Sequence, residues 1–224
     1  MLGFRILPRT RSVSLELAAR YIKLPVANVS DCMARMTAGG PALRPLHDGS
    51  KMAGPAITVK SRPGDNLMLH KAIEMAVPGD VLVVDAGGDC TNALMGELMI
   101  SYAMRRGIAG VVINGAVRDY RFIKWNNFPV YAAGVTHRGP YKDGPGEINV
   151  PISIGGMVVE PGDLILGDDD GLICVPFHEA ESVLEAALQV HAKEQKIMSA
   201  IEAGTHNGDW IGDALSRAGY VSAS

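Results

Sequence analysis

Apolar and polar positions alternate along this chain in two periods, one near 3.6 residues and one near 2, with short runs that are apolar throughout. Ser14 precedes Leu15-Glu-Leu-Ala-Ala-Arg-Tyr-Ile22, and with Leu24 the apolar positions read as a helix capped by the serine hydroxyl. Val29 to Met36 reads as a second helix. Ala56-Ile-Thr-Val59 is strand-like, and Asn66 to Met75 carries helix formers up to a break at Pro78-Gly79. Val81-Leu-Val-Val-Asp85 has the form of a buried strand delivering a loop at Gly87-Gly88. Gly96 to Arg106 is a helix pattern closed by Gly107. Val111-Val-Ile113 is a further buried strand, with Asn114-Gly115 expected as the turn at its C-terminal end. Strand, loop, helix and strand in that order predict a parallel crossover unit. From Phe128 to Pro176 the period shortens. Val130 to Ala133, Val150 to Val159, Leu164 to Leu166 and Leu172 to Val175 read as strands, separated by turn residues at Gly155-Gly156, Pro161-Gly-Asp163 and Asp168-Asp-Asp-Gly171. A helix from about His178 to Ala203 follows, with Gly204 as its C-cap, and the tail beyond is expected to pack on a neighbour or fray.

The pattern predicts an α/β fold in a single domain over 1–224, with an N-terminal helical segment at about 1–36 and a C-terminal helix and tail from about 178–224. Composition agrees: 47% hydrophobic and 20% charged residues suit a globular core, while 26 glycines, 13 prolines and 5% aromatics suit short elements joined by tight turns. A net charge of −3 gives no basic footprint, so no nucleic-acid partner is expected, and Arg5, Arg9 and Arg11 are too sparse to change that. No run is long and apolar enough to predict a membrane span, nor do the first residues form a secretory signal, so the expected location is cytoplasmic. Cys32, Cys90 and Cys174 are widely spaced and are expected as reduced thiols rather than a zinc site or disulfide framework.

Neither G-x-G-x-x-G after a strand nor G-x-x-x-x-G-K-[ST] occurs, so nucleotide binding is unsupported, and G-x-S-x-G is absent. The strongest constellation is Gly115-Ala-Val-Arg118-Asp119, directly after the strand at Val111 to Ile113, where α/β proteins place their sites. Asp119 could hold a hard cation while Arg118 binds a carboxylate or stabilises a developing enolate. A surface Arg–Asp pair at a helix start would use the same residues. The segment from Asp85-Ala-Gly-Gly-Asp89 to Gly96-Glu97-Leu98-Met99 offers backbone N–H groups at a helix start, able to cradle a carboxylate. Glu97 would join Asp119 around one metal if the two loops share a cavity, and is otherwise an acid favoured in a first helical turn. Asp168-Asp-Asp-Gly171 lacks the spacing of a calcium loop and reads as a turn. His70 reads as a structural histidine. His191 and Glu194 sit on the apolar stripe of the last helix, suiting either a subunit contact or a solvated edge.

Taken in order, Pro78 to Asp85, Gly96-Glu-Leu, Gly110 to Asp119, Phe128-Pro-Val130, Pro161-Gly-Asp163 and Asp169-Asp-Gly171 resemble a known superfamily. It contains 4-hydroxy-4-methyl-2-oxoglutarate/4-carboxy-4-hydroxy-2-oxoadipate aldolase and the regulator of ribonuclease activity A, and the likeness runs from about Val29 to Pro176. The resemblance implies a swivelling β/β/α fold, assembly as a homotrimer or homohexamer with sites between subunits, and Mg²⁺- or Mn²⁺-dependent cleavage of a 2-oxo acid to pyruvate, with oxaloacetate decarboxylation. By position it implies Asp119 as the metal ligand and Arg118 on the substrate's oxo group. It also implies Gly96, Glu97, Leu98 and Met99 as the pyruvate-binding loop, with Glu97 an acid near the metal's waters. Asn114 stands where many members have Asp, and Glu194 is the match to a glutamate contributed by a neighbouring subunit. His137, Arg138 and Lys142 form a basic cluster that could read a distal carboxylate or lie in solvent. A non-catalytic regulator that binds a ribonuclease is the rival reading, since both share the fold.

Overall fold

A computed structural model describes residues 1–220, and the last four residues of the expected tail, 221–224, lie outside the described residues. The chain divides into two compact units, Met1–Ala187 and a second beginning at Leu188. In the first unit, helices α1 (Leu15–Tyr21) and α2 (Val26–Cys32) precede β1 (Arg44–Pro45), β2 (Met52–Ser61), α3 (Leu67–Met75) and β3 (Val81–Asp85). Then come β4 (Ala93–Met95), α4 (Glu97–Arg105), β5 (Gly110–Val117), α5 (Tyr120–Asn126), β6 (Val130–Val135) and β7 (Gly146–Ile148). The β-rich end comprises β8 (Ile152–Ile154), β9 (Met157–Val159), β10 (Leu164–Asp168) and β11 (Gly171–Val175). A 3₁₀ turn at Phe177–Glu179 leads into α6 (Ala180–Glu202), and the second unit ends in α7 (Asp209–Arg217).

The main sheet runs β1-β6-β5-β3-β2-β10-β11, with β4 added beside β5 and β7 beside β2; β8 and β9 form a separate ribbon. Strands β2, β3, β5 and β6 are mutually parallel, so α3, α4 and α5 are crossover helices, as the strand–helix alternation predicts. These strands are buried on both faces, which explains their unbroken apolar runs. Ile57, Val59, Leu82, Val84, Val111 and Ile113 pack against Leu69 and Ile73 of α3, Ile100 and Ala103 of α4 and Ile123 of α5. Ala56, Val81, Val83 and Val112 point the other way, onto Ile152, Ile154, Met157 and Val159 of the ribbon and Ile165 of β10. A third cluster sets Leu17 and Tyr21 against Leu164, Leu166, Ile173, Val175 and Leu184. The result is the α/β class expected, with helices packed on the parallel strands in one cluster and on β10 and β11 in another.

Two of the expected features are corrected by the structure. The helix placed at Val29 to Met36 is α2 at Val26–Cys32: Asp168 Oδ2 accepts from the Val26 N–H at 2.9 Å, a cap supplied 142 residues away, and positive φ at Ala34 (52°) and Arg35 (64°) ends it early. Asn114-Gly115 is not a turn but lies within β5, which continues to Val117 because β4 takes over pairing where β3 stops, Ala93 facing Ala116 and Met95 facing Val117. The register with β6 jumps from Ile113↔Ala132 to Ala116↔Gly134, so one extra residue of β5 bulges there. The short β1, β4, β7 and α5 have no sequence signal of their own. Asp169-Asp170 is the β10–β11 turn, as its residue types predict.

Candidate active site

The bulge and β4 together shape the site. With β4 alongside the upper half of β5, the chain turns at Gly96 into α4 where β5 ends at Val117, and the Arg118 N–H donates to Met95 O at 2.9 Å. Asp119 follows in a left-handed conformation, φ 60° and ψ 42°, which starts α5 and turns its side chain back to α4. Such a backbone is uncommon for a residue with a Cβ, and functional sites are where it tends to be retained. The Glu97 N–H donates to Asp119 Oδ2 at 2.8 Å, so the carboxylate takes the place of an N-cap for α4. Arg118 Nε stands 3.8 Å from that same oxygen, and the two side chains are 43% and 41% exposed, leaving both reachable by a ligand.

Arg118 and Asp119 line a cavity of about 140 Å³ with Asn66, His70, Gly96, Leu98, Met99, Pro140 and Lys142. Asp119 also borders a second, more open hollow of about 460 Å³ with Glu97, Tyr120, Arg121 and Trp125. Glu97 and Asp119 thus share a hollow, while the Glu97 side chain faces away from the smaller cavity's lining. Three residues of that lining carry no motif. Asn66 Nδ2 donates to Leu94 O at 2.9 Å, tying α3 to β4. Burial first, and the Lys142 ammonium second, hold the His70 imidazole below its ordinary value, so it faces the cavity predominantly neutral near pH 7. Lys142 is the member of the basic cluster that reaches the cavity; His137 and Arg138 are exposed and absent from its lining. The signal available for His70 was its place one turn after Asn66 on a helix following a strand, and for Lys142 only its charge.

The loop from Asp85 to Asp89 closes on itself and on β5: Asp85 Oδ1 accepts from Gly87 N at 3.0 Å and from Asn114 Nδ2 at 3.1 Å. Asn114 therefore supports this loop through its amide. Glu194 is exposed on α6 in the second unit, and His191 of the same helix keeps a buried Nδ1 without a hydrogen-bond partner.

Among the described residues no group of three or more His, Cys, Asp or Glu side chains is arranged to hold a metal ion. Asp119 is the carboxylate in the smaller cavity's lining that could ligate one, with Glu97 beside it in the open hollow. That donor set fits Mg²⁺ or a like cation, which keeps several waters and is commonly held by one or two carboxylates together with substrate oxygens. No helix among the described residues is long and apolar enough to cross a membrane.

Residues 26–174 match the model of the RraA-like family, described as Aldolase/RraA. A protein of Halalkalibacterium halodurans named "Putative 4-hydroxy-4-methyl-2-oxoglutarate aldolase" is 41% identical over 181 residues, 81% of this chain and 86% of that one. Among solved structures, an uncharacterized protein from Pseudomonas syringae pv. tomato superposes with a TM-score of 0.78 at 26% identity, covering 86% of this chain and 95% of that one. The RNA-processing inhibitor RraA from Thermus thermophilis superposes with a TM-score of 0.63 at 32% identity, covering 68% and 92%. The family match spans β5, the Arg118–Asp119 pair and every residue of the smaller cavity's lining, and on that extent of sequence this chain belongs to the Aldolase/RraA family.

Proposed function

We propose that this protein is a divalent-metal-dependent lyase that cleaves 4-hydroxy-4-methyl-2-oxoglutarate or a related 4-hydroxy-2-oxo acid to pyruvate, and that it also decarboxylates oxaloacetate. The observation that carries the reading is the junction of Arg118 and Asp119 with the first turn of α4, beside a small cavity walled by His70 and Lys142. Asp119 would hold Mg²⁺ or Mn²⁺. The cation, when bound, supplies Lewis acidity at the 2-oxo and carboxylate oxygens of the substrate. In the N-terminal turn of α4, Gly96-Glu97-Leu98-Met99, the Glu97 N–H is held by Asp119, and the backbone N–H groups of Leu98 and Met99, which the helix itself does not use, receive the substrate carboxylate. Arg118 donates to the 2-oxo oxygen as it gains enolate charge, an interaction stronger in the transition state than in the ground state. Glu97, which shares the open hollow with Asp119, would orient a water that takes the proton from the 4-hydroxyl as the C–C bond breaks and delivers it to the enolate carbon of pyruvate. In decarboxylation, where CO₂ leaves without a proton, that water protonates the same carbon. Lys142 faces the substrate's negative charge from the far wall. Cleavage and decarboxylation leave the same pyruvate enolate, so one set of residues serves both.

The test is pyruvate release from oxaloacetate and from a panel of 4-hydroxy-2-oxo acids, with and without EDTA. Activity abolished by chelation and restored by Mg²⁺ or Mn²⁺ is expected; undiminished turnover in excess EDTA, or borohydride trapping of a lysine adduct, would overturn the reading. The likeness to an RNA-processing inhibitor supports a second reading, a non-catalytic regulator that binds a ribonuclease. Absence of pyruvate from every 2-oxo acid, together with saturable ribonuclease binding, would select it. For the assembly we propose a homotrimer or homohexamer. Exposed apolar side chains beside the site, Leu98 at 84% and Trp125 at 84%, support a subunit contact there. The absence of any membrane-length apolar helix among the described residues is compatible with the expected cytoplasmic location.

A further inference from the structure

The two walls of the smaller cavity are far apart in sequence: Asn66 and His70 belong to the start of α3, Pro140 and Lys142 to the loop before β7. Between them lies Asp65, with 0% of its surface exposed. Its Oδ1 accepts from the Leu67 N–H at 2.9 Å, fixing the first turn of α3. Its Oδ2 accepts from the Asp143 N–H at 2.7 Å, the Gly144 N–H at 2.9 Å and Arg62 Nη2 at 3.0 Å. Backbone bonds extend the joint: Tyr141 N–H donates to Gly64 O at 2.8 Å, and Asn66 N–H to Tyr141 O at 3.0 Å. Neither the lining of the cavity nor the Arg118–Asp119 pair includes Asp65, and no motif marks it.

We propose that Asp65 is the positioning residue of this cavity, a buried carboxylate that holds Lys142 at one wall and Asn66 with His70 at the other by fastening both backbones to itself. The proposal rests on reading the cavity as the substrate site. Four donors converge on the two oxygens of one side chain, so no residue of the same size with a single acceptor oxygen can replace it. Asparagine is isosteric but uncharged: with its oxygen facing the three donors at Oδ2, its NH₂ arm is set against the Leu67 N–H, leaving that donor unpaired and the other three bonds without charge assistance. Both walls feel the change: α3 loses the bond to its first turn, and Lys142 is loosened because it directly precedes the two amides whose bonds to Oδ2 weaken.

The experiment is a double-mutant cycle on the full chain, measuring kcat and KM for pyruvate release, with backbone amide exchange on the same proteins. Lys142→Ala is expected to raise KM roughly tenfold, the size of one charge-assisted hydrogen bond. Asp65→Asn is expected to raise KM similarly with kcat little changed, and Lys142→Ala in that background should cost nothing further. Multiplying effects, or a loss confined to kcat, would overturn the positioning role. Amide protection at Asp143 and Gly144 should fall in Asp65→Asn while β3 and β5 keep theirs; unchanged protection would also overturn it. Should Asp65→Asn not fold, Arg62→Ala removes the one partly exposed partner and goes through the same cycle with the same expected signs. A wild type that releases no pyruvate, with the exchange result as expected, would refute the lyase reading and leave the clamp standing.

Discussion

At Gly96 an added Cβ would fall 2.4 Å from Asp119 Oδ2 and 2.7 Å from Arg118 Cγ, so the absent side chain is what lets α4 start against the pair. The backbone there is extended, with φ −152°, and only the contact demands glycine. Gly96→Ala should push the carboxylate off the Glu97 N–H and lower kcat/KM roughly 10²-fold, the usual cost of a small misplacement, with the melting temperature little changed. Arg118→Ala should retain Mn²⁺ binding by calorimetric titration yet lose about 10²–10³ in kcat, the loss seen when one preorganised donor is removed. For Asp119 the informative change is Asp119→Asn, because asparagine tolerates the left-handed backbone and can still accept from Glu97 while the charge is gone. It should abolish both Mn²⁺ binding and turnover; retained binding would remove Asp119 as the ligand. Arg118 and Asp119 were legible in the sequence because they are adjacent and follow a buried strand. Asn66 was not, and Lys142 stood out only as one of three basic residues, since 76 residues separate the two and the carboxylate that joins their segments is itself an ordinary Asp in a loop.

Among the elements, α1 was legible to its cap: Ser14 Oγ accepts from the Leu17 N–H at 3.1 Å. Ser14→Ala should cost about 1 kcal/mol of stability by urea unfolding, and no measurable loss would mean the cap is replaced by water. The N-terminal arm is held differently. Leu7 N–H donates to Ile148 O at 3.1 Å, and the Arg5 guanidinium meets Glu147 at 2.5 and 3.0 Å, extending the β7 edge. Hydrogen bonding from Arg5, outweighing burial, with a further bond from the Gly3 N–H, holds the Glu147 carboxyl well below its ordinary 4.5, at about 2. A depressed folded-state value means the stabilisation is present above about 4.5 and is lost as pH falls toward about 2. Glu147→Gln should therefore be less stable than wild type at pH 6, with the gap in melting temperature closing between these two values; a gap independent of pH would refute the ionic role. The sequence carries no sign of this arrangement, because the sparse arginines of the arm reveal nothing of the acids they meet.

On the scale of the whole molecule, the parallel sheet with its crossover helices leaves Leu98, Tyr102, Tyr120 and Trp125 exposed on α4 and α5 beside the site. Burial of such a patch would exclude water from Arg118 and Asp119, whose electrostatic interactions strengthen as the medium becomes less polar. Light scattering at micromolar concentration should give three or six times the chain mass of 23.7 kDa, and a monomer would count against the proposed assembly. Trp125→Lys should shift the mass toward monomer and lower activity together if this patch is the contact.

The sequence by itself determined the α/β class, the buried strands β3 and β5, the crossover helices α3 and α4 and the position of Arg118 and Asp119, because each follows from local periodicity, turn chemistry or adjacency. Tertiary structure decided the rest. The start of α2 depends on Asp168, the continuation of β5 through Asn114-Gly115 on β4, and the cavity's walls on Asp65. In each case the backbone partner lies elsewhere in the chain. A buried N–H or carbonyl must be satisfied somewhere, but local pattern does not say where.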